Sequence, residues 1–134
     1  DINIKNAIKS ISVSHQLVPT YLSIATASIF FIKNSFSKQA SSPTKMAESW
    51  AVNIPIITNE GIGDNDIYFN QNAGGILINN LNNEMYLNAY FKFLELNNCN
   101  YRLIAEKDFN HINGIKKYSD IYHSILNKKL NFEK

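Results

Sequence analysis

Short apolar runs alternate along this chain with segments whose apolar positions return at helical spacing, and that alternation sets the predicted elements. Residues 1–9 follow neither period. Ser10-Ile11-Ser12-Val13-Ser14 switches between polar and apolar at every step, the pattern of a half-buried strand. His15-Gln16 then leads into a helix around residues 19–25, with Leu17, Tyr21, Leu22 and Ala25 turned inward. Ser28-Ile29-Phe30-Phe31-Ile32 is a nearly unbroken apolar run, as expected of a strand covered on both faces of a parallel sheet. A polar loop rich in Ser and Lys follows over 33–41, then a helix over 43–52 and a second buried strand at Pro55-Ile56-Ile57. Glu60-Gly61-Ile62-Gly63 turns tightly, and Asp64 suits the cap of a short helix through residue 70. Ala73-Gly74-Gly75 ends that helix, and Ile76-Leu77-Ile78 is the last strand.

From Asn82, a good N-cap, the pattern turns helical. The first of these helices carries Met85, Tyr90, Phe93 and Leu94, and a second over 101–107 carries Leu103 and Ile104. A third places Ile112, Ile115, Tyr118, Tyr122, Ile125 and Leu126 at helical spacing. These stripes read as core or interface, not as a cofactor box. Strands and helices at βαβ spacing imply an α/β fold. Residues 1–80 form a Rossmann-like parallel sheet with flanking helices and right-handed crossovers, and 81–134 form a helical C-terminal segment. In such sheets ligands sit outside the C-terminal ends of the strands. The loops at Ser14-His15, 33–42 and 59–63 are expected to converge on that edge.

The helix over 43–52 carries the candidate chemistry. Ser42 is a favourable N-cap, and Pro43 suits the first helical position, where its missing N–H costs nothing. The backbone N–H groups of Thr44 and Lys45 then point out of the helix start with the positive end of the dipole behind them, a seat for phosphate. Glu48 lies one turn on, on the same face as Thr44, where a carboxylate accepts hydrogen bonds from a sugar diol. Lys33 and Lys38 follow a strand, where cations meet phosphate oxygens, although solvated surface lysines are the commoner case. Most helix starts of this kind bind nothing, so both readings stand on the local physics alone.

Composition excludes more than it adds. Hydrophobic residues are 45% and charged ones 18%, globular proportions that argue against disorder. A net charge of +2 is too small to make nucleic acid or a membrane surface the main partner. The length allows one domain with its own core. A single cysteine, Cys99, after the polar turn Asn97-Asn98, excludes an intramolecular disulfide and suits a reducing compartment. No apolar run approaches the roughly 18 residues a membrane span needs, and no secretory leader pattern is present. His15, His111 and His123 are far apart and in no metal-ligand pattern, so surface or structural roles are expected. No Ser–His–Asp set, Walker loop or paired hydrolytic carboxylates can be assembled.

Pro43-Thr44-Lys45-Met46-Ala47-Glu48-Ser49-Trp50-Ala51, Ile54-Pro55-Ile56-Ile57-Thr58 and Gly61-Ile62-Gly63-Asp64 together resemble the donor-binding segment of group 1 (family 4) glycosyltransferases. The likeness extends to Val13-Ser14-His15, Val18-Pro19 and Tyr21-Leu22 upstream, and to Ala73-Gly74-Gly75-Ile76-Leu77-Ile78 downstream. It implies the C-terminal half of a GT-B fold, with 1–134 a partial donor-binding domain. By resemblance Glu48 binds the donor ribose, the amides at Thr44 and Lys45 beside Ser42 meet the diphosphate, and the backbone at Val13 and Ser14 meets the nucleobase. The implied reaction is retaining transfer of a hexosyl group from a nucleoside diphosphate sugar to an acceptor hydroxyl, in surface polysaccharide or glycan synthesis. It needs no metal and no cofactor beyond the donor.

Two departures qualify the likeness. The family carries an acidic residue eight positions before the glutamate, beside the transferred sugar, and here that position is Ala40, so no catalytic residue is assigned. The family's first strand with its Gly-Arg…Lys segment, and its acceptor-binding N-terminal domain, are missing from the 134 residues, which are expected to be inactive alone. The resemblance places the protein in the cytoplasm and leaves open peripheral attachment to the inner membrane face. In the family the last helix packs back on the partner domain, which leaves its apolar face partly exposed in an isolated piece. Two alternatives stand: a non-catalytic nucleotide-sugar-binding module, and a nucleotide-sugar epimerase, for which the Ala40 region supplies no acid or histidine.

Overall fold

Three short parallel strands carry the fold: β1 (Ser28–Ile29), β2 (Ile56–Asn59) and β3 (Gly75–Ile78), in the spatial order β1-β2-β3. The computed structural model describes residues 4–72, 74–96 and 99–132. Its helices are α1 (Ile4–Ala7), α2 (Val18–Ser23), α3 (Thr44–Ala51), α4 (Asn65–Asn72), α5 (Asn83–Leu94), α6 (Arg102–Asp108) and α7 (His111–Phe132). Single turns of 3-10 helix lie at His15–Leu17 and Phe36–Lys38. The expected α/β architecture, a parallel sheet between helices, is the one observed.

β2 is the central strand, buried at all four residues, because its alternate side chains meet helices on both faces. Ile56 joins Met46 and Trp50 of α3, Phe69 of α4, and Tyr101, Ile104 and Ala105 around α6. Ile57 faces the other way, with Ile76 and Ile78 of β3 and Ala89 of α5, flanked by Met85 and Phe93. Asn82 caps α5 as expected, its side chain accepting the Met85 N–H at 2.9 Å.

Trp50 locks α3 to the sheet. Its indole is fully buried against Tyr68, Phe69 and Phe109, at centroid distances of 5.6, 5.8 and 5.6 Å. Its Nε1–H donates to the Gly74 carbonyl at 2.7 Å. Gly74 permits that approach, since a Cβ there would lie 2.6 Å from the indole ring. The Tyr101 hydroxyl, by contrast, is buried without a hydrogen-bond partner, and burial raises its pKa, with the Cys99 thiol adding to the effect.

Several expectations need correction. Residues 10–14 form no strand. They run exposed except for half-buried Val13, because an alternating segment becomes a strand only where a neighbour accepts its ladder bonds. β1 is laddered over two residues instead of five, and Ile29 is 63% and Phe31 37% exposed, so one face of this strand is uncovered. Pro43 is not the first helical residue: its ψ of 117° is extended, so it occupies the N-cap position, and no side chain caps α3. Leu17 and Tyr21 lie outward, as do Tyr90, Leu94 and Leu103, since each neighbouring element covers only one side of its helix. Ala73 and the turn at Asn97-Asn98 lie outside the described residues. No helix among those described is long and apolar enough to cross a membrane.

Two outcomes follow for stability. Trp50→Phe keeps an aromatic ring but leaves the Gly74 carbonyl unpaired, and is expected to cost about 2–4 kcal/mol in urea denaturation. Tyr101→Phe removes an unpartnered buried hydroxyl and is expected to hold or raise stability at pH 7 by up to about 1 kcal/mol. Above the unfolded phenol pKa of about 10 the unfolded chain releases this proton first, so wild-type stability falls as pH rises. Denaturation midpoints across pH 8–11 are expected to fall less in the variant.

Candidate functional site

The candidate site lies where the β1–α3 connection and the β2–α4 turn meet, beyond the C-terminal ends of the strands. A polar side chain, not the sheet ladder, joins them. Asn59, 4% exposed at the end of β2, accepts the Ile32 N–H at 2.8 Å and donates to the Ile32 carbonyl at 2.9 Å. The same amide reaches the Asn34 side chain and the Glu60 carbonyl, both at 3.2 Å. Asn59 thereby continues by side chain the pairing that β1 abandons after Phe30, whose N–H bonds the Ile57 carbonyl. From the other side, Asn65 at the start of α4 donates to the Asn59 carbonyl at 3.2 Å.

The tip of the long connection is pinned as well. The Gly63 N–H donates to the Lys38 carbonyl at 3.2 Å, and the Ser41 N–H reaches the same carbonyl at 3.1 Å. Gly63 has φ +48°, and a Cβ there would fall 2.0 Å from the Ser41 carbonyl oxygen. Only glycine allows that closure. The loops expected at 33–42 and 59–63 are thus in direct contact.

From this junction α3 departs with a buried face of Met46, Ser49 and Trp50 and an exposed face of Thr44, Lys45 and Glu48. Ser49 is satisfied by its own helix, donating to the Lys45 carbonyl at 2.8 Å. The Thr44 and Lys45 N–H groups have no partner among the described residues, so they remain available to an anion. Ser42 is exposed just before the helix, and Lys33 is exposed just after the Asn59-held Ile32. None of Lys33, Lys38, Lys45 and Glu48 is in an ion pair among the described residues, where the pair present is Arg102–Glu106.

Glu48 borders a cleft of about 190 Å³ between α2 and α3, lined also by His15, Val18, Pro19, Leu22, Ala51 and Val52. The sequence singled out the carboxylate but not this setting. His15, expected to be structural or a surface residue, stands in the wall beside Glu48, while Val13 and Ser14 do not line the cleft. The cleft arises from α2 leaning on α3, a tertiary contact that spacing along one helix does not announce. Ala40 is exposed in the β1–α3 loop, and no carboxylate occurs from 33 to 47.

A larger cleft, about 640 Å³, lies elsewhere, along β3 and α5. It offers Glu60, Asp66 and Glu95 against Lys92 alone, a balance that repels phosphate. The smaller cleft beside α3 has Glu48 as its one acidic group, and the bare Thr44 and Lys45 amides begin the same helix one turn earlier. Among the described residues no three His, Cys, Asp or Glu groups are placed to hold a metal ion. Comparison of the chain with protein-family models, with curated proteins and with solved structures matches none of them.

Asn59→Ala removes four hydrogen bonds and leaves the Ile32 N–H and carbonyl without their partner. The expected cost is about 2–4 kcal/mol. Amide exchange measured by NMR is expected to quicken first at Ile32, before the β2–β3 ladder.

Proposed function

We propose that this chain is the donor-binding part of a GT-B glycosyltransferase that takes a nucleoside diphosphate sugar. One observation carries the reading: the bare first turn of α3 stands at the strand ends with Glu48 one turn along, in the wall of an apolar cleft. Each part of the donor has a chemical counterpart there. The diphosphate takes the Thr44 and Lys45 amides, with Lys33, Lys38 and Lys45 supplying positive charge. The ribose hydroxyls donate to the Glu48 carboxylate, a charge-assisted contact. The nucleobase lies against Val18, Pro19, Leu22 and Val52, with His15 at the rim.

In the transfer itself, the bond from the anomeric carbon to the diphosphate oxygen breaks, one to the acceptor oxygen forms, and the acceptor's hydroxyl proton passes to the leaving diphosphate. Negative charge collects on the leaving diphosphate. Amides already oriented by α3 stabilise that charge without reorganising. The carboxylate-free loop over 33–43 favours, as a second reading, a module that binds the same donor without transferring its sugar.

Calorimetric titration with UDP-, GDP- and ADP-sugars tests the reading. Glu48→Ala is expected to weaken the bound donor by about ten- to a hundredfold, the range of one lost hydrogen bond to a charged group. Inorganic diphosphate, which lacks the ribose, is expected to bind both proteins equally. Equal donor affinity in the two proteins would remove the ribose contact and the assignment with it.

A further inference from the structure

The final helix presents a self-complementary face. From His111 onward α7 leaves the body of the fold, and residues 111–127 are exposed apart from half-buried Gly114. Yet four of its apolar side chains form a stripe, flanked by Ile112 and Ile121: Ile115, Tyr118, Tyr122 and Ile125 are 65, 67, 64 and 54% exposed. Their spacing of three, four and three residues is the 3.5-residue repeat of a helix-pairing seam. Lys116, Asp120 and His123 project away from the stripe between Ile115 and Ile125, and His111 and Lys129 are the next positions of the repeat on either side.

The stripe is also palindromic about Asp120. Ile115 and Ile125 stand five residues to either side, Tyr118 and Tyr122 two, and Gly114 and Leu126 six. A two-fold interface requires that residue i meet j while j meets i. Antiparallel α7 helices satisfy this at every layer. Ile115 stacks on Ile125 of the second copy, and Tyr118 lies beside its Tyr122.

We propose that two copies of this chain associate through antiparallel pairing of α7. Covering the four seam side chains and the flanking Leu126 completely on both copies removes at most roughly 1,200 Å² from water, the lower end of stable interfaces. A dimer of micromolar strength is therefore expected. The inference rests on α7 alone, and it claims the face that the resemblance would give to a partner domain.

Sedimentation equilibrium over about 1–200 μM brackets such a constant. The wild-type chain is expected to pass from monomer to dimer, and Tyr122→Glu to remain monomeric with its helical circular dichroism intact. A wild-type monomer throughout, as when α7 serves a different protein or domain, overturns the proposal, and so does a dimer indifferent to Tyr122→Glu. Should that variant lose helicity, mild oxidation in a Cys99→Ser background decides instead. Ile115→Cys mixed with Ile125→Cys is expected to form an interchain disulfide that neither protein forms alone. Cross-linking of Ile115→Cys with itself, or no cross-link in the mixture, overturns the pairing.

Discussion

The Trp50 indole N–H must find an acceptor inside a dry core, and the Gly74 carbonyl is the one it finds. An indole buried without that bond costs about 1–3 kcal/mol, as much as one well-packed side chain contributes. The bond fixes the last turn of α3 against the segment entering β3, while three aromatic rings close around the indole. With its far end held, α3 has little freedom in direction. Its first turn, which makes no side-chain cap of its own, is carried to the strand ends by packing elsewhere. The exposed amides of the candidate site are thus a consequence of the core.

The loops around that first turn are held by a different force. Hydrogen bonds from Asn59 and Gly63 join the β1–α3 connection to the β2–α4 turn, Asn65 closes that turn on the Asn59 carbonyl, and all three donors sit in buried or half-buried positions where an unmade bond is expensive. Ion pairs contribute little by comparison. Arg102–Glu106, with its side chains 62% and 55% exposed, is worth about 0.5 kcal/mol at most. The lysines and the glutamate near α3 are therefore not needed to hold the chain, and a ligand can use them without loosening the fold.

This division explains what the sequence made legible. β2, β3, α3 and α5 follow from an unbroken apolar run, a helical period or an Asn cap, features that local physics writes directly into residue order. The strand expected over 10–14 failed because alternation specifies which face is apolar but not who supplies the neighbouring strand. Ser42 lost its capping role by a shift of one residue: Pro43 is as compatible with an extended N-cap as with a first helical turn, since its φ of −67° suits both. Asn59 gave no signal at all. A buried asparagine looks in sequence like any loop residue, and its role exists only once β1 ends early beside it. His15 was hidden for the same reason, because its place beside Glu48 depends on how α2 leans on α3.

The same contrast separates the centre of the molecule from its margins. Side chains of β2 meet cover on both faces, whereas Ile29 and Phe31 on β1, Tyr90 and Leu94 on α5, and the seam of α7 leave large apolar areas in water. Scattered exposed apolar residues are ordinary, but seams at a fixed helical repeat are not. Local opening is cheapest where apolar contacts are fewest, so the margins open before the β2–α3–Trp50 centre does. The candidate site beside α3, anchored at that centre, keeps its geometry while the margins open. The association proposed for α7 and the binding proposed beside α3 would therefore not reshape one another.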